Sequence, residues 1–219
     1  MIPRESEVQA VLETGKIIIN SGLVSGTWGN ISVRLSNPDS FLITPSGVPY
    51  HELTAEDLVI IDLQGEVLAG RLKPSSETPL HAAIYRARQD INGIVHTHSS
   101  YASVFTVTRK PLPPVLEEMA QLLGGDVRVA PYAPAGTDEL AAAAVSALGD
   151  RAAVLLANHG VVGVGRSLRE ALLVCQVVEK GALVYLFSQL NGTPFLLSDH
   201  DVSVLRNNFL ESYGQGKGE

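Results

Sequence analysis

Apolar residues recur along the chain with two different spacings, one typical of helices and one typical of strands. Near the N-terminus, Val8, Val11 and Leu12 and the run 17–19 have helical spacing, and Gly22 ends the pattern. Short apolar runs bounded by turn residues predict strands. The predicted strands span 30–35, 41–44, 58–62, 126–129 and 152–157, and a further one contains His96.

Further helices follow from local start signals. Thr78 before Pro79 predicts a helix with Thr78 as its N-cap and Pro79 as its first residue. Ser167 and Glu170 predict a capping box at the start of another helix. The predicted helices span 5–21, 78 to about 89, 139–148 and 167–190. Together these elements predict one mixed α/β domain, 1–219, with helices packed on a sheet. Periodicity leaves the order of the strands open.

The composition argues against some classes of binding partner and bears on where the protein is located. The chain has 219 residues and 45% hydrophobic content, enough for a sizeable core. A net charge of −7 and the absence of any Lys/Arg block argue against nucleic-acid binding. Cys175 is the single cysteine, and the sequence shows neither a secretory leader nor a run of about eighteen apolar residues. We therefore expect a soluble, cytoplasmic protein.

Three histidines carry the strongest chemical signal. His96 and His98 are two residues apart after apolar Ile94, and a strand places such residues on one face. His159, in an Asn-His-Gly turn after a buried strand, is a plausible third imidazole. Catalytic zinc typically takes three protein ligands and keeps one position open. A His-x-His pattern by itself is as often an ordinary pair of strand residues as a metal site. Other motifs in the chain are therefore needed to distinguish the two.

Three short polar loops could bind an anion. They are Gly26-Thr27-Trp28-Gly29-Asn30, Thr44-Pro45-Ser46-Gly47 and Pro74-Ser75-Ser76-Glu77. Hydroxyls and backbone N–H groups in such loops can cradle a phosphate, and Ser75 and Ser76 precede a helix N-terminus whose dipole favours negative charge. Taken singly, each loop is more often only a turn.

Glu77 stands at the start of the same predicted helix. A carboxylate beside both a metal and a phosphate is a candidate general base, because a metal-bound carbonyl acidifies the neighbouring C–H. The alternative is a first-turn glutamate that complements the helix dipole. His81, four residues later, is interpreted as a helix-face residue rather than a fourth imidazole, and His51 and His200 receive no role.

Five short motifs, taken together, resemble the class II aldolase/adducin family over nearly the whole chain. They are Gly-Thr-x-Gly-Asn-Ile-Ser at 26–32, Thr-Pro-Ser-Gly at 44–47, Pro-Ser-Ser-Glu at 74–77, His-Thr-His at 96–98 and Asn-His-Gly at 158–160. Each motif alone is weak, but their common order and spacing are specific.

This resemblance implies an α/β/α sandwich around a mainly antiparallel sheet, and a zinc-dependent aldolase that cleaves a ketose 1-phosphate such as L-fuculose 1-phosphate. The products would be dihydroxyacetone phosphate and an aldehyde. By the resemblance, His96, His98 and His159 bind Zn²⁺, and Glu77 is the acid/base that also ligates the metal when no substrate is present. The implied phosphate ligands are Thr27, Asn30, Ser46, Gly47, Ser75 and Ser76.

The family also forms homotetramers with active sites at subunit borders, and Tyr213 matches a C-terminal tyrosine that reaches the site of a neighbouring subunit. A second tyrosine of the aldolases is missing here, because 116–120 reads Leu-Glu-Glu-Met-Ala. Glu118 would either replace it as proton donor or be a solvated residue on a helix face.

Several other activities share this metal site. An L-ribulose-5-phosphate 4-epimerase is one alternative, although its pattern has aspartate where this chain has Glu77. A sugar-phosphate decarboxylase or dehydratase is another, because zinc stabilises a carbanion-like intermediate in each reaction. A non-catalytic adducin-type interaction module is disfavoured, because the three histidines and Glu77 are all retained.

Overall fold

The sheet at the centre of the molecule is covered on both faces, which explains why its strands read as nearly continuous apolar runs. The computed structural model describes residues 3–212, and within them the strands form one eight-stranded sheet in the order β4-β3-β2-β1-β5-β8-β7-β6. Every neighbouring pair is antiparallel except β6 with β7. The strands are β1 Asn30–Arg34, β2 Ser40–Ile43, β3 Val59–Asp62, β4 Val67–Ala69, β5 Gly93–Thr97, β6 Arg128–Ala130, β7 Ala153–Leu156 and β8 Val161–Gly165.

Helices cover the sheet on both sides. They are α1 Glu5–Asn20, α2 Thr78–Ala87, α3 Ser100–Thr108, α4 Glu117–Leu123, α5 Asp138–Leu148, α6 Leu168–Asn191 and α7 Asp199–Ser212, with a 3₁₀ turn at Ala55–Asp57. On one face α2 and α5 enclose a core with alternate strand residues such as Ile94. On the other face α1, α3, α4 and α6 pack against the intervening residues, such as Val95. The predicted α/β/α sandwich with a mainly antiparallel sheet is confirmed.

The predicted elements are present with small shifts at their ends, and the structure corrects one cap. Glu77, rather than Thr78, occupies the N-cap of α2. Thr78 begins the helix, and its hydroxyl donates to the carbonyl of Ser75 at 2.7 Å. Pro79 therefore occupies the second helical position, where its missing N–H costs nothing.

Five elements escaped the sequence patterns: α3, α4, α7, β4 and β8. β4 is a three-residue edge strand whose residues are all exposed, so it has no alternation to detect. β8 contains Gly163 and Gly165, which resemble loop residues in a local pattern.

Helix α6 is long and apolar enough to span a membrane by length and composition alone. In the fold it lies against β5, β8 and α3, with Leu172, Cys175 and Val178 among its buried side chains. Its apolar sequence is accounted for by the core of a globular domain.

Candidate metal and anion site

The end of β5 carries the first two imidazoles. His96 is fully buried in the strand, and His98 is half-buried just after it. The Nδ1–H of His96 donates to the carbonyl of Val161 on the paired strand β8 at 2.9 Å. This bond orients the ring, so that Nε2 of His96 points away from the sheet toward the neighbouring imidazoles and Glu77, where it can bind a metal once its proton is displaced.

The third imidazole is held by the tight turn between β7 and β8. Asn158 adopts a left-handed conformation, with φ 56°, and its N–H donates to the carbonyl of Thr106 on α3. Gly160 is required next, because a Cβ there would clash with the carbonyl oxygen of Thr97 and touch the rings of both strand histidines. The Asn-His-Gly sequence thus brings His159 against β5.

The three rings converge on one point. The Nε2 atom of His96 lies 2.9 Å from that of His98 and 3.3 Å from that of His159. Burial, followed by the neighbouring histidines, lowers the pKa of His98 to about 3, and the same causes lower the pKa of His159. Imidazole nitrogens this close to one another repel unless a proton or a metal ion lies between them, so this donor set suits a divalent transition-metal ion.

Glu77 faces the same point from the N-terminus of α2. Its Oε2 accepts from the side-chain amide of Asn30 at 2.8 Å and lies 3.1 Å from Nε2 of His96. Its Oε1 lies 3.5 Å from Nε2 of His159. Burial raises the pKa of Glu77, but the charge and hydrogen bond of His96, assisted by His159 and Asn30, outweigh it, so the pKa is lowered overall. Glu77 is therefore an ionised carboxylate.

One atom of this carboxylate is unusual. Oε1 of Glu77 is buried and accepts no hydrogen bond from any residue within 3–212. A buried acceptor without a donor is costly, so it marks a position for a cation or for a proton that is exchanged. This orphaned oxygen, together with the three imidazole nitrogens, gives the group four donor atoms suited to one metal ion.

A cavity of about 200 Å³ opens beside these groups, and we call it the imidazole cavity. The structure brings all six predicted phosphate residues to its wall. Its lining includes Thr27, Trp28, Gly29, Asn30, Ser46, Gly47, Ser75, Ser76, Glu77, His98 and His159. Gly29 has φ +82°, and a Cβ there would clash with the carbonyl of His96, so the glycine lets this loop approach β5.

Backbone hydrogen bonds join two of the loops around this cavity. The N–H of Ser46 donates to the carbonyl of Lys73 at 3.0 Å, and the N–H of Ser75 donates to the carbonyl of Thr44 at 3.1 Å. Because these N–H groups are already paired, an anion would contact side-chain hydroxyls at those two positions instead. The exposed hydroxyls at the mouth belong to Thr27, Ser46 and Ser76.

Two candidate residues lie elsewhere. Glu118 is on α4, where its Oε1 pairs with Nζ of Lys180 at 2.7 Å, outside the lining of the imidazole cavity. This favours a role on the helix surface over proton donation. Tyr213 lies outside the described residues.

Sequence reasoning missed two residues at the site. Trp28 is 66% exposed, and its ring centroid lies 5.8 Å from that of His98. A large aromatic between Thr27 and Gly29 was the available signal. His81, interpreted as a helix-face residue, lies on a fully buried face of α2, and its Nε2 bonds to the side-chain oxygen of Asn30 at 2.6 Å.

Comparison with known proteins identifies the family of the chain. Residues 9–186 match the profile of the family described as Class II Aldolase and Adducin N-terminal domain. A 5-deoxy-D-ribulose 1-phosphate aldolase of Bacillus thuringiensis serovar kurstaki is 42% identical over 211 residues, which cover 96% of this chain and 98% of the relative. An L-fuculose phosphate aldolase of Escherichia coli O6:H1 is 36% identical, covering 96% of this chain and 97% of the relative.

A solved structure gives the same result for the fold. An L-fuculose 1-phosphate aldolase superimposes with a TM-score of 0.92 at 37% identity, covering 95% of this chain and 98% of that one. The similarity therefore extends over nearly the whole chain. The chain therefore belongs to the class II aldolase and adducin family and is one of its aldehyde-lyases.

Proposed function

We propose that this chain is a zinc-dependent aldolase that reversibly cleaves a ketose 1-phosphate to dihydroxyacetone phosphate and an aldehyde. The observation that carries the proposal is Oε1 of Glu77, a buried carboxylate oxygen without a hydrogen-bond donor, next to three imidazole nitrogens. It combines a metal site with an acid/base group at the wall of a cavity lined by hydroxyls.

The metal ligands and the hydroxyl-bearing loops would bind different parts of the substrate. His96, His98, His159 and, without substrate, Glu77 would hold zinc. When bound, zinc would act as a Lewis acid that polarises the carbonyl and stabilises developing negative charge. The hydroxyls of Thr27, Ser46 and Ser76, with Ser75, Gly47 and Asn30, would bind the phosphate at the N-terminal end of α2.

Glu77 would transfer a proton to and from the reacting carbon of the substrate. In the direction of synthesis its carboxylate removes a proton from the hydroxymethyl carbon next to the carbonyl of dihydroxyacetone phosphate, and that carbon then forms a bond to the aldehyde. In cleavage the hydroxyl that becomes the aldehyde oxygen loses its proton to solvent and the C–C bond breaks with its electron pair staying on the dihydroxyacetone phosphate half. Glu77, which has taken up a proton from solvent, delivers it to that carbon; in synthesis the new hydroxyl takes its proton from solvent. Burial of the carboxylate keeps water from competing for this transfer.

The substrate is expected to be a ketose 1-phosphate. The relatives that match almost the full chain are named for 5-deoxy-D-ribulose 1-phosphate and for L-fuculose phosphate, so both sugars belong in a first panel. Glu77 favours aldol cleavage over 4-epimerisation, because the epimerase pattern has aspartate at this position. Decarboxylation or dehydration of a related sugar phosphate is the second candidate class.

The remaining expectations concern the assembly. We propose that residues 1–219 form one domain of a cytoplasmic homotetramer whose sites lie between chains, with Tyr213 reaching the site of a neighbour. Val107 on α3 and Phe187 on α6 are 56% and 57% exposed, and Leu190 is 84% exposed. Large apolar side chains exposed on neighbouring helices support association with further copies.

Product analysis of the zinc-loaded protein tests the proposal. The protein is incubated with a panel of ketose 1-phosphates and ketose 5-phosphates, and dihydroxyacetone phosphate is followed in a coupled assay. Its release from at least one ketose 1-phosphate is expected, and the rates rank the aldehyde halves. Conversion of a pentulose 5-phosphate to its epimer, without release of dihydroxyacetone phosphate, would overturn the aldolase assignment.

A further inference from the structure

A continuous line of buried polar groups runs from the core to Glu77. The hydroxyls of Tyr85 and Ser32 lie 2.9 Å apart, and Oγ of Ser32 lies 2.6 Å from Nδ1 of His81. Nε2 of His81 lies 2.6 Å from Oδ1 of Asn30, whose Nδ2 donates to Oε2 of Glu77 at 2.8 Å. Tyr85, Ser32 and His81 are completely buried, so no water competes for these bonds.

The direction of each hydrogen bond follows from the carboxylate. An ionised Glu77 only accepts, so the amide nitrogen of Asn30 must face it and the amide oxygen must face His81. His81 must then carry its proton on Nε2. Burial lowers the pKa of His81 to about 3, so the ring is neutral and its Nδ1 accepts from the hydroxyl of Ser32. Ser32 in turn accepts from Tyr85.

With these hydrogen-bond directions, the two carboxylate oxygens of Glu77 differ in their hydrogen-bond partners. Oε2 is held by Asn30, whereas Oε1 has no donor among residues 3–212. If His81 lost its donor, the amide of Asn30 could turn over and present its oxygen to the carboxylate. Two acceptors would then face each other in a buried site, and Glu77 would rotate or move away.

We propose that His81 is a positioning residue for the acid/base Glu77, which acts by fixing the amide of Asn30 so that Oε1 is the oxygen that exchanges protons with the substrate. This inference rests on the proposed function and adds a residue to it that does not contact the substrate. It also gives Asn30 a second task, because at most one of its amide N–H bonds remains for the predicted phosphate contact.

Three variants separate positioning from burial. His81→Leu removes the donor at similar volume. His81→Gln restores an N–H that can reach the oxygen of Asn30. Ile84→Val, on the same helix and fully buried, is the control for a general loosening of α2. The readout is the exchange of carbon-bound hydrogen of dihydroxyacetone phosphate for deuterium in D₂O, followed by NMR without any aldehyde, because it reports the proton transfer by Glu77 alone.

We expect His81→Leu to slow this exchange about 10- to 100-fold, the usual effect of removing an outer support of a metal-site residue, with KM for dihydroxyacetone phosphate and metal content nearly unchanged. His81→Gln and Ile84→Val should stay within about threefold of the parent protein. Exchange at the parental rate in folded His81→Leu, while the parent exchanges normally, overturns this inference alone. A parent protein that exchanges no deuterium overturns the proposed function together with it.

A measurement on the unmodified protein keeps the inference testable if His81→Leu does not fold. The side-chain ¹⁵N shifts of His81 distinguish the two neutral tautomers and the imidazolium. The expected result at pH 7 is a ring that carries a proton on Nε2, in protein with or without zinc. A ring protonated on Nδ1 alone would reverse the hydrogen bond to Asn30 and overturn the inference.

Discussion

The imidazole cavity and a second, larger cavity differ in how their polar groups are satisfied. The second cavity measures about 350 Å³, against about 200 Å³ for the first, and we call it the arginine cavity. Its lining includes Arg88, Asp90, Gly124, Asp150, Arg151, Arg166, Glu170 and Arg206. By size and charge alone it would be the more obvious anion site.

Each arginine of this cavity has a carboxylate or carbonyl partner, although Nε of Arg151 is itself buried without a hydrogen-bond partner within residues 3–212. Arg88 pairs with Asp90 at 2.7 Å, and Arg166 pairs with Glu170 at 3.1 Å. Arg206 donates to backbone carbonyls at the end of α4 at 2.7 and 2.8 Å. The bonds of Arg206 join α7 to α4, and Arg88 and Arg166 each pair with a carboxylate close in sequence. The arginines therefore stabilise the fold.

The imidazole cavity differs because its unsatisfied groups are metal ligands that converge on one point. Three imidazole nitrogens face one another, and Oε1 of Glu77 has no donor within residues 3–212. Groups that repel or lack partners in the isolated chain gain partners when a cation and an anionic substrate bind. The comparison indicates that unmet hydrogen-bonding and charge requirements, more than cavity volume, identify the functional site.

The largest effect on metal binding and turnover is expected when one imidazole is removed. His96→Ala should abolish stoichiometric metal binding and lower turnover at least about 10³-fold, because a Lewis acid contributes several kcal/mol to the reaction. Metal analysis of the purified variant and the dihydroxyacetone phosphate assay give the two numbers. A variant that keeps parental activity would eliminate the zinc assignment.

A truncation asks whether the imidazole cavity is complete within one chain. Ending the chain at Glu211, which removes Tyr213, should lower turnover about 10²-fold, as expected for a lost acid/base or substrate contact. Metal content and melting temperature should stay the same, because residues at a chain end contribute little core burial. Unchanged kinetics would remove Tyr213 from the site.

The loss of one hydroxyl tests the anion half of the same cavity. Ser46→Ala should lower kcat/KM about tenfold, chiefly through KM, because a hydrogen bond to a charged phosphate contributes about 1.5–3 kcal/mol. Ser36→Ala, an exposed serine in the β1–β2 loop, is the matched control and should change neither constant. Equal effects of both substitutions would argue against phosphate binding by Ser46.

The smallest effect is expected in the arginine cavity. Arg88 lowers the pKa of Asp90 through a hydrogen bond, so this carboxylate stabilises the folded state above its unfolded pKa near 3.8, and the contribution disappears as the pH falls. Because Asp90 is 60% exposed, solvent screening limits the contribution to less than about 1 kcal/mol.

Urea unfolding of the parent and Asp90→Asn should therefore differ slightly at pH 7, and the difference should shrink as the pH falls below about 3.8. Turnover should be identical at pH 7. A large loss of activity in Asp90→Asn would show that the arginine cavity has a functional role, and the contrast between the two cavities would fail.

Local sequence patterns predicted most of the sheet and singled out residues that the fold brings together around one cavity. The two strand histidines follow from the period of two, and the Asn-His-Gly turn supplied the third. β8 was missed because Gly163 and Gly165 face α6, where a Cβ would clash with Cys175 or with the backbone of Ala171. Such a requirement comes from tertiary packing and leaves no local periodicity.

His81 shows the same limit within the site. Its position on α2 was predicted to lie on a helix face, but the face is buried against β1, where Ser32 and Asn30 bond to both ring nitrogens. These partners are about fifty residues away in sequence, with separations of 49 and 51. No pattern along α2 contains that information, so only the fold reveals the support behind Glu77.

The most direct test of the account is a zinc titration of chelator-treated protein while dihydroxyacetone phosphate release is followed from its preferred ketose 1-phosphate. We expect no activity without metal and a linear rise that saturates at about one Zn²⁺ per chain, with no rise in His96→Ala. Full activity after removal of all metal would contradict it.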